Sequence, residues 1–220
     1  MIAAITHDLQ TPMTRLRLRL DALQDDELRR RLLDDWRAME AIVDQGLELA
    51  RASDAQETLV RLDVDSLIAS LVDDAAETGA DVVFDHAAGK DIVCRPQMLR
   101  RCVQNLLDNA IKHGGDARLS TIATGQELLI EVRDHGPGIP ESRLDEVFEP
   151  MVRLDPSRSR ETGGTGLGLT IARILARRNA AHITLINAPG GGLVARLAIK
   201  RNPKSEGSGP GATARANCWA

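Results

Sequence analysis

Four groups of residues in this sequence could do chemistry. His7 and Asp8 place an imidazole beside a carboxylate. A neutral imidazole is a nucleophile, and it is well populated at pH 7 because its ordinary pKa is about 6.5. The neighbouring acid can accept the proton of one ring nitrogen and leave the other free to attack. Asn105, Asn109 and Lys112 fall at i, i+4 and i+7, so on a helix they share one face. Two carboxamides and an ammonium can serve a magnesium ion and phosphate oxygens, since magnesium takes oxygen ligands and keeps several waters. Taken alone, the stripe fits a solvated polar face equally well. Asp134-His135-Gly136-Pro137-Gly138-Ile139-Pro140 follows a strand-like run. Its glycines admit a flat ligand close to the backbone, and its Asp can accept from an exocyclic amine such as that of adenine. An ordinary Gly-Pro turn would read the same. Gly163-Gly164-Thr165-Gly166-Leu167-Gly168-Leu169 opens a helix, where backbone N–H groups and the helix dipole favour phosphate. It is neither a dinucleotide fingerprint nor a P-loop, because no Lys-Ser/Thr follows the glycines.

The elements that must position these residues follow from hydrophobic spacing. Leu9, Met13, Leu16, Leu20 and Leu23 form a heptad seam, as do Leu32, Trp36, Met39, Val43, Gly46 and Ala50. The charged Gln24-Asp25-Asp26-Glu27 between them suits a turn. One such hairpin buries little, so two copies side by side, a homodimeric four-helix bundle, are expected. On this seam His7 falls at b and Thr11 at f, pointing outward one turn apart, and Thr14 and Leu18 extend the stripe. Pro12 removes the hydrogen bond to the Asp8 carbonyl and should kink the helix. Further on, helices are expected over Val64–Thr78, Gln97–His113 and Thr165–Arg178. Strands are expected over Asp81–Phe84, Asp91–Cys94, Arg118–Ala123, Glu127–Arg133, His182–Asn187 and Leu193–Lys200. Helices mixed with mostly antiparallel strands give an α+β class. The reading divides the chain into residues 1–57, 58–202 and a disordered tail, 203–220, rich in Gly, Ser, Ala and Pro.

Composition narrows the function classes. Hydrophobic residues make up 43% and charged residues 27% of 220, ordinary for a globular protein, whereas aromatics are only 2%, so Leu, Ile, Val, Ala and Met must build the cores. A net charge of -4 gives no basic footprint for nucleic acid. Cys94, Cys102 and Cys218 lack metal-ligand spacing and read as reduced thiols. No apolar run approaches the length of a membrane helix, and no signal peptide is visible.

Taken together and in this order, the last three segments resemble the N, G1 and G2 boxes of the histidine-kinase ATP-binding domain, the Bergerat or GHKL fold. Phe148-Glu149-Pro150-Met151-Val152-Arg153-Leu154-Asp155 resembles the F box that opens its ATP lid, with Met151 where the family usually has Phe. The resemblance implies an α/β sandwich that binds ATP and Mg2+. It implies that Asp134 reads adenine and that His113, Gly136, Gly138, Ile139 and Phe148 also belong to the ATP site. Asn109, helped by Asn105, would hold magnesium. Lys112 and Arg153 would contact phosphates, and Gly164, Thr165, Gly166, Leu167 and Gly168 would wrap the triphosphate. The related hydrolases carry a water-activating Glu where Asn105 stands. An amide cannot take that proton, which argues for phosphoryl transfer over hydrolysis.

His7-Asp8-Leu9-Gln10-Thr11-Pro12 resembles the H box of the dimerisation and phosphotransfer domain, with Gln10 in place of its usual basic residue. The resemblance implies a bacterial sensor histidine kinase that phosphorylates His7 and passes the phosphoryl group to an aspartate of a response regulator. The regulator would dock on the His7, Thr11, Thr14 and Leu18 stripe. Asp8 with Thr11 would support dephosphorylation of the regulator. Members of this type carry membrane helices and a relay segment upstream, so the chain is expected to be the cytoplasmic part of a longer inner-membrane protein. Two rivals are a GHKL ATPase or anti-sigma-type serine kinase, which needs no H-box hairpin, and a degenerate scaffold, which needs no intact N, G1 and G2 boxes.

Overall fold

The structure is a computed structural model that describes residues 2–33, 35, 36, 39, 40, 43, 57–152, 154 and 166–201, with residues 2–10 described as backbone alone. The expectations placed on Gly46, Ala50, Arg153, Asp155, Gly163, Gly164, Thr165, Cys218 and the 203–220 tail lie outside the described residues.

The N-terminal part is helical. Helix α1 spans Ile2–Asp21 and continues through Pro12. Residues 26–33, 35, 36, 39, 40 and 43 are helical and form α2. The turn, residues 22–25, falls two residues earlier than the charged run implied, because the Asp25 side chain accepts the Glu27 and Leu28 N–H groups at 3.1 and 3.0 Å and starts α2 there. Leu20 and Trp36 are buried between the helices. The Trp36 indole donates to the Met13 carbonyl at 3.1 Å, and the Arg17 guanidinium lies 4.9 Å from its ring centroid. Leu16 and Met39, both on the predicted seams, are exposed in the single chain, as the seam of a bundle completed by a second copy would be.

From Val60 onward the chain is a two-layer α/β sandwich. Strand β1, Val60–Asp63, pairs antiparallel with β3, Asp91–Cys94. A five-stranded sheet runs in the order β2 (Asp81–His86), β4 (Asp116–Ala123), β5 (Glu127–Arg133), β7 (Leu193–Lys200), β6 (Ala181–Asn187). Only β2–β4 is parallel. Helices α3 (Val64–Glu77), α4 (Pro96–Gly114) and α5 (Gly168–Arg178) supply the second layer. Ile68, Leu71, Leu99, Leu106, Leu107, Leu119, Leu128, Ile130, Ile171, Leu175 and Leu197 fill the space between them and are almost fully buried. Aliphatic residues thus build this core, with Phe148 at its margin.

Several boundaries follow from local chemistry. Asp63 accepts from Asp65 and Ser66 N–H and starts α3. Pro96 opens α4, and Gly115, left-handed at φ 84, ends it. The helix expected from Thr165 begins instead at Gly168, because Gly166 takes φ 75, which a right-handed helix cannot contain. Strand β1 and two short 3-10 turns, Glu141–Arg143 and Glu146–Phe148, were not anticipated. Burial, with the Glu57 charge adding to it, pushes the Cys94 thiol up to about 11, and burial pushes Cys102 to about 12, as suits inert core thiols.

Candidate functional site

Strand β5 ends at Arg133 and delivers Asp134 into the interior, where it is 4% exposed. Its Oδ1 accepts the N–H groups of Gly136 at 2.8 Å and Leu193 at 3.1 Å. Its own N–H donates to the Leu193 carbonyl at 2.9 Å. A buried carboxylate requires such donors. Both side-chain bonds use Oδ1, so the remaining oxygen is the one available to a ligand. The C-terminal end of α4 closes against this carboxylate through two glycines. A Cβ at Gly114 would lie 2.5 Å from the Asp134 Cβ, and one at Gly136 would lie 2.8 Å from the His113 carbonyl oxygen. Burial of the His113 ring and the Lys112 charge beside it lower its pKa below the ordinary value, with Asp134 opposing them.

Asn105, Asn109 and Lys112 are half-buried along one face of α4. The Asn105 Nδ2 donates to the Arg101 carbonyl at 2.8 Å, which fixes the direction of its Oδ1. A Cβ at Gly168 would stand 3.4 Å from that oxygen, so the glycine segment crosses α4 at Asn105. The Gly166 carbonyl accepts the Met151 N–H at 3.1 Å, joining the two ends of the intervening segment. The Phe148 carbonyl accepts the Thr170 hydroxyl at 2.9 Å and an Arg173 N–H at 3.2 Å, and Arg173 lies over the Phe148 ring. These bonds hold Phe148 on α5, while Met151, at φ 63, leaves its side chain 66% exposed.

Two segments distant in sequence therefore meet α4: the Asp134 loop at its C-terminal end and the Gly166–Gly168 loop near Asn105. Residues 105 and 114 are about 13 Å apart along the axis, at 1.5 Å per residue. The result is a site extended along α4, with the buried acceptor at the C-terminal end of the helix, Lys112 and Asn109 along the turns before it, and the Asn105 carboxamide beside the glycine backbone farther back. Sequence reasoning brought these segments to one site but missed Gly114, Leu193, Thr170 and Arg173, which hold them there. Thr11, Thr14 and Leu18 form an exposed stripe on α1, as the heptad implied. The backbone of His7 and Asp8 lies in the same helix, and their side chains are outside the described residues.

The His Kinase A (phospho-acceptor) domain family matches residues 1–55, and the family of histidine kinase-, DNA gyrase B- and HSP90-like ATPases matches residues 94–203. The chain belongs to the sensor histidine kinases. It is 37% identical over 201 residues to the sensor histidine kinase GtrS of Pseudomonas aeruginosa, covering 91% of this chain and 41% of that protein. It is 34% identical over 192 residues to the sensor protein RstB of Escherichia coli, covering 80% of this chain and 42% of that one. The histidine kinase core described here thus spans less than half the length of these relatives. Among solved structures, full-length ShkA in complex with AMPPNP superposes with a TM-score of 0.71 at 20% identity, over 91% of this chain and 45% of that chain. The Acinetobacter baumannii histidine kinase AdeS gives 0.64 at 20% identity, over 89% and 98%. Both likenesses are of fold: a helical phosphoacceptor region followed by the GHKL sandwich. Among the described residues, no helix of this kinase is long and apolar enough to cross a membrane.

Proposed function

We propose that the site along α4 binds ATP and that the bound nucleotide phosphorylates His7. The observation that carries this reading is that the Asp134 loop and the Gly168 segment both pack on α4, the helix that carries Asn105, Asn109 and Lys112. Asp134 accepts the exocyclic amine of adenine through its second oxygen. Gly136, Gly138 and Ile139 supply the backbone around the base, and His113 and Phe148 border it. Lys112 and Arg153 neutralise phosphate, while Gly164, Thr165, Gly166, Leu167 and Gly168 offer backbone N–H groups to the triphosphate. The donor set fits magnesium: the fixed Asn105 Oδ1 is a hard oxygen ligand, Asn109 lies one turn on, and no cluster of three or more His, Cys, Asp or Glu among the described residues competes as a metal cage. When bound, magnesium supplies charge neutralisation at the phosphate oxygens.

In the transfer, a ring nitrogen of His7 bonds to the γ-phosphorus, the bond from that phosphorus to the β–γ bridging oxygen breaks, and ADP leaves. Asp8 accepts the proton of the other ring nitrogen. The phosphoryl group then passes to an aspartate of a receiver domain docked on the His7, Thr11, Thr14 and Leu18 stripe. Thr11 orients the water that later hydrolyses the regulator's aspartyl phosphate. Residues 1–57 act as the dimerising phosphoacceptor unit and 58–202 as the nucleotide unit, a division supported by the start of β-structure at Val60. The arrangement suits the cytoplasmic portion of a membrane-anchored sensor.

The test is incubation with γ-labelled ATP and magnesium, then acid and base treatment of the labelled chain. Label that is acid-labile and base-stable supports phosphohistidine. Acid-stable label would favour a serine kinase, and rapid phosphate release without label would favour a hydrolase.

A further inference from the structure

The turn between β6 and β7 lies outside the segments that carry the nucleotide-site motifs, yet it holds both ends of the loop that follows β5. At the near end, the Leu193 carbonyl accepts the Asp134 N–H, and the Leu193 N–H donates to the Asp134 carboxylate. At the far end, Asn187, the last residue of β6, forms a two-point clamp. Its Oδ1 accepts the Ile139 N–H at 2.9 Å and its Nδ2 donates to the Ile139 carbonyl at 2.7 Å. One carboxamide thereby satisfies both backbone groups of a single residue, much as a neighbouring strand would. The approach depends on Gly138, at φ 73, because a Cβ there would lie 2.7 Å from the Asn187 Oδ1. The turn itself is closed by the Ala188 N–H on the Gly192 carbonyl at 3.0 Å, and Gly192 packs against the Asp134 carbonyl, where a side chain has no room.

We propose that Asn187 is a positioning residue for base recognition. By fixing Ile139 it keeps the 134–139 loop in the shape that presents the free Asp134 oxygen and the loop backbone to the purine. Without the clamp, the nucleotide must order the far end of the loop on binding, and affinity falls by that amount. The effect belongs to the base and not to the phosphates, which α4 and the Gly166–Gly168 segment handle. Asn is specifically suited: Asp keeps the acceptor but sets a second oxygen against the Ile139 carbonyl. This inference rests on the nucleotide reading above.

The experiment titrates the intact chain with ATP and with ITP, which carries an oxo group where ATP has the 6-amine. It compares wild type, Asn187→Ala and Asn187→Asp, with a thermal melt of each and the autophosphorylation rate at saturating ATP. Loss of two neutral hydrogen bonds corresponds to a rise in the ATP Kd on the order of tenfold. Asn187→Ala is expected to show that rise, and Asn187→Asp, which loses one bond and sets an oxygen against the Ile139 carbonyl, a rise in the same direction; both should show a smaller preference for ATP over ITP and a rate at saturation within about twofold of wild type. A lower melting temperature with unchanged ATP affinity and selectivity would mean that Asn187 only supports the fold, and would overturn the proposal. A fall in the saturated rate with unchanged Kd would overturn it too. If Asn187→Ala does not fold, Asn187→Asp decides alone, since it preserves size and one bond. Absence of ATP binding in the wild type would instead remove the nucleotide reading, and the inference with it.

Discussion

Gly114 and Asp134 lie so close that a Cβ on the glycine would stand 2.5 Å from the Asp134 Cβ. The helix that carries Asn105, Asn109 and Lys112 and the loop that carries the buried acid are therefore locked together at that point. Gly114→Ala tests the contact, because the only demand on the new methyl is space. Overpacking of this kind costs typically about 1 to 3 kcal/mol. The expected outcome is a lower melting temperature together with weaker ATP binding in a titration. Unchanged affinity would mean that the base end of the site does not depend on this contact.

Asp134→Asn keeps shape and removes charge. Its Oδ1 bonds to Gly136 and Leu193 can survive in the amide, so the change falls on the ligand side. Losing one charge-assisted bond to the adenine amine should weaken ATP binding by roughly 1.5 to 3 kcal/mol. Calorimetric titration that finds equal affinities would exclude Asp134 as the adenine reader.

Much of this arrangement was legible in the sequence, and the reasons differ by element. The helix α4 was evident because Met98, Leu99, Cys102, Val103, Leu106, Leu107 and Ala110 repeat at helical spacing, and all are buried. Strand β1 was not, because Val60-Arg61-Leu62-Asp63 is too short to show a period and exists only through pairing with Asp91–Cys94, some 30 residues on. The site's motif residues could be read because glycines and carboxamides at fixed offsets are local. Asn187 could not be, since its partner Ile139 is 48 residues upstream and nothing in β6 marks one carboxamide as a clamp. The same holds for Thr170 and Arg173, whose shared acceptor, the Phe148 carbonyl, lies on another segment.

Asp116 gives a pH dependence. Burial raises its pKa, but hydrogen bonds from the His135 ring and backbone N–H, and the charges of His135 and Arg118, outweigh it and hold the carboxyl below the ordinary 3.8. A lowered carboxylate pKa contributes stability that is present above the unfolded-state value and lost as pH falls through the folded-state value. Asp116→Asn should melt lower than wild type at pH 7, and the difference should shrink as pH falls from about 4 downward. Melting curves across that range check this; a difference that does not change with pH would mean the pair contributes nothing ionic.

Thr11 is exposed on α1, one turn after His7. Its proposed task is to orient water towards a docked aspartyl phosphate, and an acyl phosphate needs positioning more than a strong base. Thr11→Ala should therefore lower regulator dephosphorylation far more than autophosphorylation, and Asp8→Asn should do the reverse. Parallel assays of the two activities decide it, and equal losses of both in Thr11→Ala would reduce the residue to helix support.

The central claim is that ATP bound along α4 phosphorylates His7. Its most direct measurement is localisation of the phosphoryl group by mass spectrometry under non-acidic conditions, after incubation with ATP and magnesium, in wild type and in His7→Gln. The account predicts phosphohistidine on the His7 peptide of the wild type, none anywhere in His7→Gln, and nearly equal ATP affinity in the two. Phosphohistidine retained in His7→Gln, or found in the wild type on His86, His113, His135 or His182 instead, would contradict it.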